Sequence, residues 1–99
     1  MLNCEMNRDG SELVIRLEGR LDTVTAPELE EKMNGALEGV ESLTMDFEKL
    51  EYISSAGLRI LLTTQKLMNR QGKMKVIHVN DVIQEIFEVT GFVDILTIE

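Results

Sequence analysis

Ninety-nine residues with an apolar fraction of 43% and a single proline fit one domain, residues 1–99, built on one modest core. The formal net charge of −8 argues against nucleic acid and against an anionic membrane as partners, because both call for a basic surface. No apolar run reaches membrane-span length, the first residues carry no charged-then-apolar signal, and the lone Cys4 has no internal disulfide partner; a cytoplasmic address is expected.

In chain order, Leu2 to Asn7 reads as a first strand and Asp9-Gly10 as the turn of a hairpin. Leu13, Ile15 and Leu17 alternate with Val14 and Arg16, which predicts a second strand. Gly19-Arg20-Leu21-Asp22 then leaves that strand. Thr25 is placed as the N-cap of a first helix, with Pro27 in its first turn and Glu28 completing a capping box. Leu29, Met33 and Leu37 form its apolar stripe, and Gly39 is the expected stop. Leu43 to Phe47 is a third strand, parallel to the second across the helical crossover. A second helix begins at Ser55, carries Leu58, Leu61, Leu62, Leu67 and Met68, and stops at Gly72. Lys73 to Val79 is a fourth strand. Asp81 is expected to cap a third helix with Ile83, Ile86, Phe87 and Val89, stopped by Gly91, and Ile95 to Ile98 could close as an edge strand. The order predicts an α/β domain: an N-terminal β-hairpin, a mostly parallel sheet of four to five strands, and helices packed against it.

Functional groups of open α/β sheets collect beyond the carboxyl ends of the parallel strands. That edge should gather Asp22, after the second strand, with Ser54 and Ser55, after the third. His78, near the end of the next strand, is a further candidate for the same rim. Two readings of Ser54 and Ser55 stand side by side. A serine at a helix start caps a free amide, and the same place suits a phosphate. Asp22 likewise either fixes a turn through its own backbone or faces a partner. Catalysis is poorly supported: the Gly-x-Ser-x-Gly elbow is broken by Ile53, and no base is fixed beside Ser55. One Cys and one His at no ligand spacing give no metal site, Gly57 stands alone without a phosphate loop, and no cofactor is expected.

Gly19-Arg20-Leu21-Asp22, then a helix, then Asp46-Phe47, then Tyr52-Ile53-Ser54-Ser55-Ala56-Gly57-Leu58, in this order and spacing, resembles the STAS domain of bacterial anti-sigma factor antagonists over essentially the whole chain. The resemblance implies a binding switch and not an enzyme. Ser55, two positions before the glycine, would be the phosphate acceptor, with Ser54 the alternative. Asp22, Thr23, Ser54, Ser55, Ala56 and Gly57 would meet the partner. That partner would be an anti-sigma factor serine kinase, a PP2C-like serine phosphatase would reset the switch, and the sigma factor would be touched only indirectly. Ser54 departs from an aspartate common before the acceptor in such proteins. A STAS structural subunit or regulator of a transport complex, working without phosphate, is the first competing reading; a small nucleotide-binding protein or enzyme with this α/β layout is the second.

Overall fold

The structure, a computed structural model, describes residues 2–99. Strand β1 (Leu2–Asp9) turns at Gly10-Ser11 into β2 (Glu12–Leu21), in antiparallel register from Leu2↔Gly19 to Asp9↔Glu12. Helix α1 (Ala26–Met33) crosses to β3 (Ser42–Ile53), which pairs parallel with β2. Helix α2 (Ser55–Gln71) crosses to β4 (Lys73–Ile77), parallel to β3, and α3 (Asp81–Thr90) follows. The sheet runs β1-β2-β3-β4 in space as in sequence. The hairpin and the mostly parallel four-stranded sheet are those expected.

Both central strands outrun their sequence pattern. The β2–β3 register slips between Arg16 and Glu18 and again between Gly19 and Arg20. Each slip places one extra residue in β3 while β2 keeps its alternation, so Leu50 and Ile53 turn back inward beside Leu17 and Leu21 and all four are buried. The stretch Gly19-Arg20-Leu21 is therefore strand, contrary to the expectation that it leaves the sheet. Gly19 holds φ at +105°, a conformation that a Cβ disfavours, on the β2 side of the second slip.

One core joins alternate residues of all four strands to the inner faces of the helices: Ile15, Leu17, Met45, Phe47 and Val76 from the sheet, Leu29, Leu61, Met68, Ile83 and Phe87 from the helices. Burying each such side chain contributes about 1.5–3 kcal/mol. Three residues assigned to apolar stripes fall outside the core: Leu67 is 39% and Val89 77% exposed, and Leu62 is only partly buried.

Several element ends differ from expectation for local reasons. Thr25 has helical backbone angles and spends its hydroxyl on the loop before it, so the capping box with Glu28 does not form. Helix α1 ends at Met33, and turns through Gly35 and Gly39 then carry Leu37 and Val40 into the core. Asn80, not Asp81, caps α3: its Oδ1 accepts from the Ile83 amide at 2.8 Å while its Nδ2 donates to the Leu50 carbonyl at 2.9 Å. Strand β4 stops at Ile77 because His78 takes a left-handed φ of +59°. Phe92–Asp94 is a 3₁₀ turn, and the expected edge strand is reduced to one parallel bridge, Val76↔Ile98. Among the described residues no helix is long and apolar enough to cross a membrane.

Candidate functional site at the β2–β3 rim

Strands β2 and β3 end level, with Leu21 opposite Ile53, and the Ser54 amide donates to the Leu21 carbonyl at 2.8 Å. The loop after β2 and the start of α2 are thereby fixed side by side. Ser54 is the N-cap residue by backbone, with extended angles of −100° and 178° and its carbonyl accepting from the Leu58 amide at 2.9 Å. Its side chain makes no cap hydrogen bond. Its Oγ is sealed from solvent without a partner among the described residues. Ser55, the first helical residue, is exposed. The two adjacent hydroxyls thus differ sharply in access, and neither acts as the expected cap. The first-turn amides lie at the positive end of a seventeen-residue helix with no acidic residue in that turn.

Gly57 explains how the helix can begin so close to the sheet. A Cβ added there would lie 2.7 Å from Ile53 Cγ1 and 2.7 Å from Leu21 Cγ, both on fully buried side chains. Only the absent side chain admits this approach, which sets Ser55 at the strand ends.

Asp22 builds the facing loop. Its Oδ1 accepts from the Val24 and Thr25 amides, each at 3.0 Å, and lies 3.2 Å from Thr25 Oγ1. Thr25 Oγ1 accepts from the Asp22 amide at 2.9 Å and donates to the Arg20 carbonyl at 2.8 Å. The Thr25 amide does most to hold the Asp22 carboxyl below the usual carboxylate range; desolvation opposes it, and the Val24 amide, the Thr25 hydroxyl and the Arg20 charge assist. The turn role of Asp22 is real, yet it occupies one oxygen only. The other faces Arg20 Nε at 3.9 Å. Arg20 in turn lies over the Tyr52 ring, 4.6 Å from its centroid, across the β2–β3 pair. The sequence reading gave Arg20 no role of its own, took Thr25 for a helix cap, and passed over Val24, which is 79% exposed at the tip of this loop. Arg20↔Tyr52 was recoverable only from the slipped register.

Asp22, Ser54, Ser55 and Gly57 are thus brought together, and Thr23 and Ala56 line one small hollow beside them. His78 is not part of this rim. It follows Ile77, which pairs with Asp46, seven residues of β3 short of the rim, or about 20 Å at strand rise. There it belongs to a charged row across the sheet. His78 Nδ1 meets Asp46 Oδ1 at 2.9 Å, Asp46 Oδ2 meets Arg16 Nε at 3.6 Å, and Arg16 Nη1 meets Glu5 Oε1 at 3.7 Å. Burial pushes the Asp46 carboxyl up, but the His78 hydrogen bond, the Glu48 amide and the charges of His78 and Arg16 outweigh it and hold the group low. The same hydrogen bond raises His78, against desolvation and with help from the Asp46 and Glu48 charges. Among the described residues no cluster of three or more His, Cys, Asp or Glu is arranged to hold a metal ion.

The fold and rim define a small α/β domain with a parallel strand pair ending at an exposed serine and a carboxylate-braced loop. The chain belongs to the STAS domain family, whose profile matches residues 3–99. It is 31% identical over 97 residues to the anti-sigma-B factor antagonist of Staphylococcus aureus, covering 96% of this chain and 90% of that one. The structure is similar to an anti-sigma factor antagonist from Mycobacterium paratuberculosis, with a TM-score of 0.89 and 21% identity over 99% of this chain and 85% of that one. It also matches the antagonist SpoIIAA in its unphosphorylated form (TM-score 0.76, 18% identity, 98% of this chain and 87% of that one). The phosphorylated form of SpoIIAA, from Bacillus, matches with a TM-score of 0.75 at 19% identity over 98% and 91%.

Proposed function

We propose that this chain is an anti-sigma factor antagonist, a cytoplasmic binding switch and not an enzyme, whose state is written on Ser55. Unmodified, it sequesters an anti-sigma factor serine kinase; phosphorylated, it releases it, and a PP2C-like phosphatase resets it. The family and its relatives support the antagonist role. The observation that carries the choice of residue is the contrast at the rim: Ser55 is exposed, whereas the Ser54 Oγ is sealed.

Transfer forms a bond from Ser55 Oγ to the γ-phosphorus and breaks the bond from that phosphorus to the leaving ADP oxygen, with the serine proton passing to a base of the kinase. The product adds about −1.5 to −2 charge at neutral pH. At the mouth of α2 that charge sits favourably with the helix dipole, so the fold need not change. Under a docked partner the same charge must be desolvated and paired, or it opposes binding. A penalty of about 3–4 kcal/mol weakens affinity by about two to three orders of magnitude. Asp22 adds a second negative group to the covered surface, with Thr23, Ala56 and Gly57 alongside.

Calorimetric titration against the cognate anti-sigma factor tests this reading. Ser55→Asp should weaken binding by about a hundredfold or more while leaving the thermal midpoint nearly unchanged, and Ser55→Ala should bind like the unmodified chain. Equal affinity for Ser55→Asp and the unmodified chain would defeat the switch.

A further inference from the structure

The rim opens into a trough of which the switch reading uses only the near end, at Thr23 and Ala56. Helix α1 spans eight residues against seventeen in α2, and the chain beyond Met33 turns away through Asn34–Gly39. Between the helices this leaves a hollow of about 410 Å³, with Met33, Leu37, Ile60 and Leu67 as apolar lining and Glu30 and Glu31 along one side. A smaller hollow of about 150 Å³, bounded by Ala56 and Arg59, shares Pro27, Glu30 and Ile60 with the first. The two lie end to end on these shared residues, so their lining runs from Ala56, the neighbour of Ser55, to Leu67, eleven residues down the helix or about 17 Å.

We infer that this trough is a docking surface for a segment of the same anti-sigma factor that covers Ser55, one carrying an apolar side chain beside a lysine or arginine. The inference rests on the switch reading for the partner's identity. The exposed Leu67 offers the apolar contact, at a position where a helix facing only solvent would place a polar residue. Glu30 and Glu31 set the sign of the occupant in the larger hollow, whose lining has two carboxylates and no lysine or arginine, while Arg59 bounds only the smaller hollow near the rim. A second copy of this chain is the wrong occupant: it brings a net charge of −8 to an already acidic wall. Continuity with the Ser55 rim ties the segment to the partner seated there.

The test is calorimetric titration of the cognate anti-sigma factor with Leu67→Glu, the double variant Glu30→Lys/Glu31→Lys, Ser55→Asp and, as a control on a different exposed apolar face, Val89→Glu. Leu67→Glu and the double lysine variant should each weaken binding at least tenfold, the latter with a flatter salt dependence, and Val89→Glu should bind normally. The lysine variants replace exposed side chains, so they carry the test if Leu67→Glu lowers stability. Normal binding by both trough variants alongside loss for Ser55→Asp would overturn the trough and leave the switch standing. Weakened binding by the trough variants with normal binding by Ser55→Asp would uphold the surface and defeat the switch. Normal binding by all variants would defeat both.

Discussion

Replacing Gly57 with alanine puts the closeness of α2 to the sheet to a direct test. The new Cβ lies 2.7 Å from Ile53 Cγ1 and from Leu21 Cγ, and 3.0 Å from Leu21 Cδ2. Carbon atoms rest at about 3.5–4.0 Å, so each neighbour must yield by about 1 Å. Neither has free space, because Leu21 and Ile53 are 0% and 1% exposed within the core. Overpacking of this kind costs about 1–3 kcal/mol. The better helix propensity of alanine returns up to about 1 kcal/mol, less in the first turn than in a helix interior. A net loss of about 1–2 kcal/mol corresponds to a midpoint lower by about 5–15 °C for a domain of this size. Thermal unfolding followed by far-ultraviolet circular dichroism reads this out. A Gly57→Ala midpoint equal to or above that of the parent chain would refute the close-approach argument.

Gly72→Ala should be more damaging still, because the added Cβ would fall 1.9 Å from the Glu41 carbonyl oxygen, a backbone atom that cannot rotate away; a midpoint above that of Gly57→Ala would contradict this. Ser54→Ala should leave the thermal midpoint unchanged or slightly raised, since it deletes a sealed hydroxyl without a partner. A working N-cap would instead cost about 0.5–2 kcal/mol on the same substitution, and a clear fall in the midpoint would show one. Asp22→Asn keeps the oxygen that accepts from Val24 and Thr25, whereas Asp22→Ala removes it, so Ala should lower the midpoint more than Asn; equal losses would mean that charge, not the turn, is what the fold needs. For His78→Gln the effect is pH-dependent. His78 is raised by Asp46, so its contribution is full below its ordinary value of 6.5 and is lost as pH rises through the folded-state value. Asp46 is held below 3.8, so its contribution is full above that value and is lost as pH falls through the lowered one. The stability gap between parent and His78→Gln, read by urea titration, should peak between the two and close as pH rises through the raised His78 value. A gap independent of pH would contradict the pairing.

Fold class, hairpin, strand order along the chain and the gathering of Asp22 with Ser54 and Ser55 were legible because each rests on local pattern plus the rule for parallel strand ends. What escaped was set by contacts between distant residues. Alternation in β3 is interrupted by two register slips, so its pattern fades at Phe47 while the strand runs on to Ile53; in β2 the alternation continues to Leu21, but the position after Leu17 on that face is Gly19, which gives no apolar signal. Those extra residues of β3 also carry the rim well beyond the end of β4, which is why His78 lies with Asp46 and not with Ser55. Thr25 has the residue type of an N-cap, but the Arg20 carbonyl and the Asp22 amide claim its hydroxyl first. The difference in access between Ser54 and Ser55 has no sequence signal at all; it depends on which way two neighbouring side chains leave one turn.

The acceptor itself is most directly tested by incubating the chain with ATP and its cognate anti-sigma factor kinase, then locating the phosphate by fragmentation mass spectrometry. One phosphate is expected, on Ser55, and none on Ser55→Ala even though Ser54 remains. Phosphate on Ser54, or undiminished incorporation into Ser55→Ala, would contradict it.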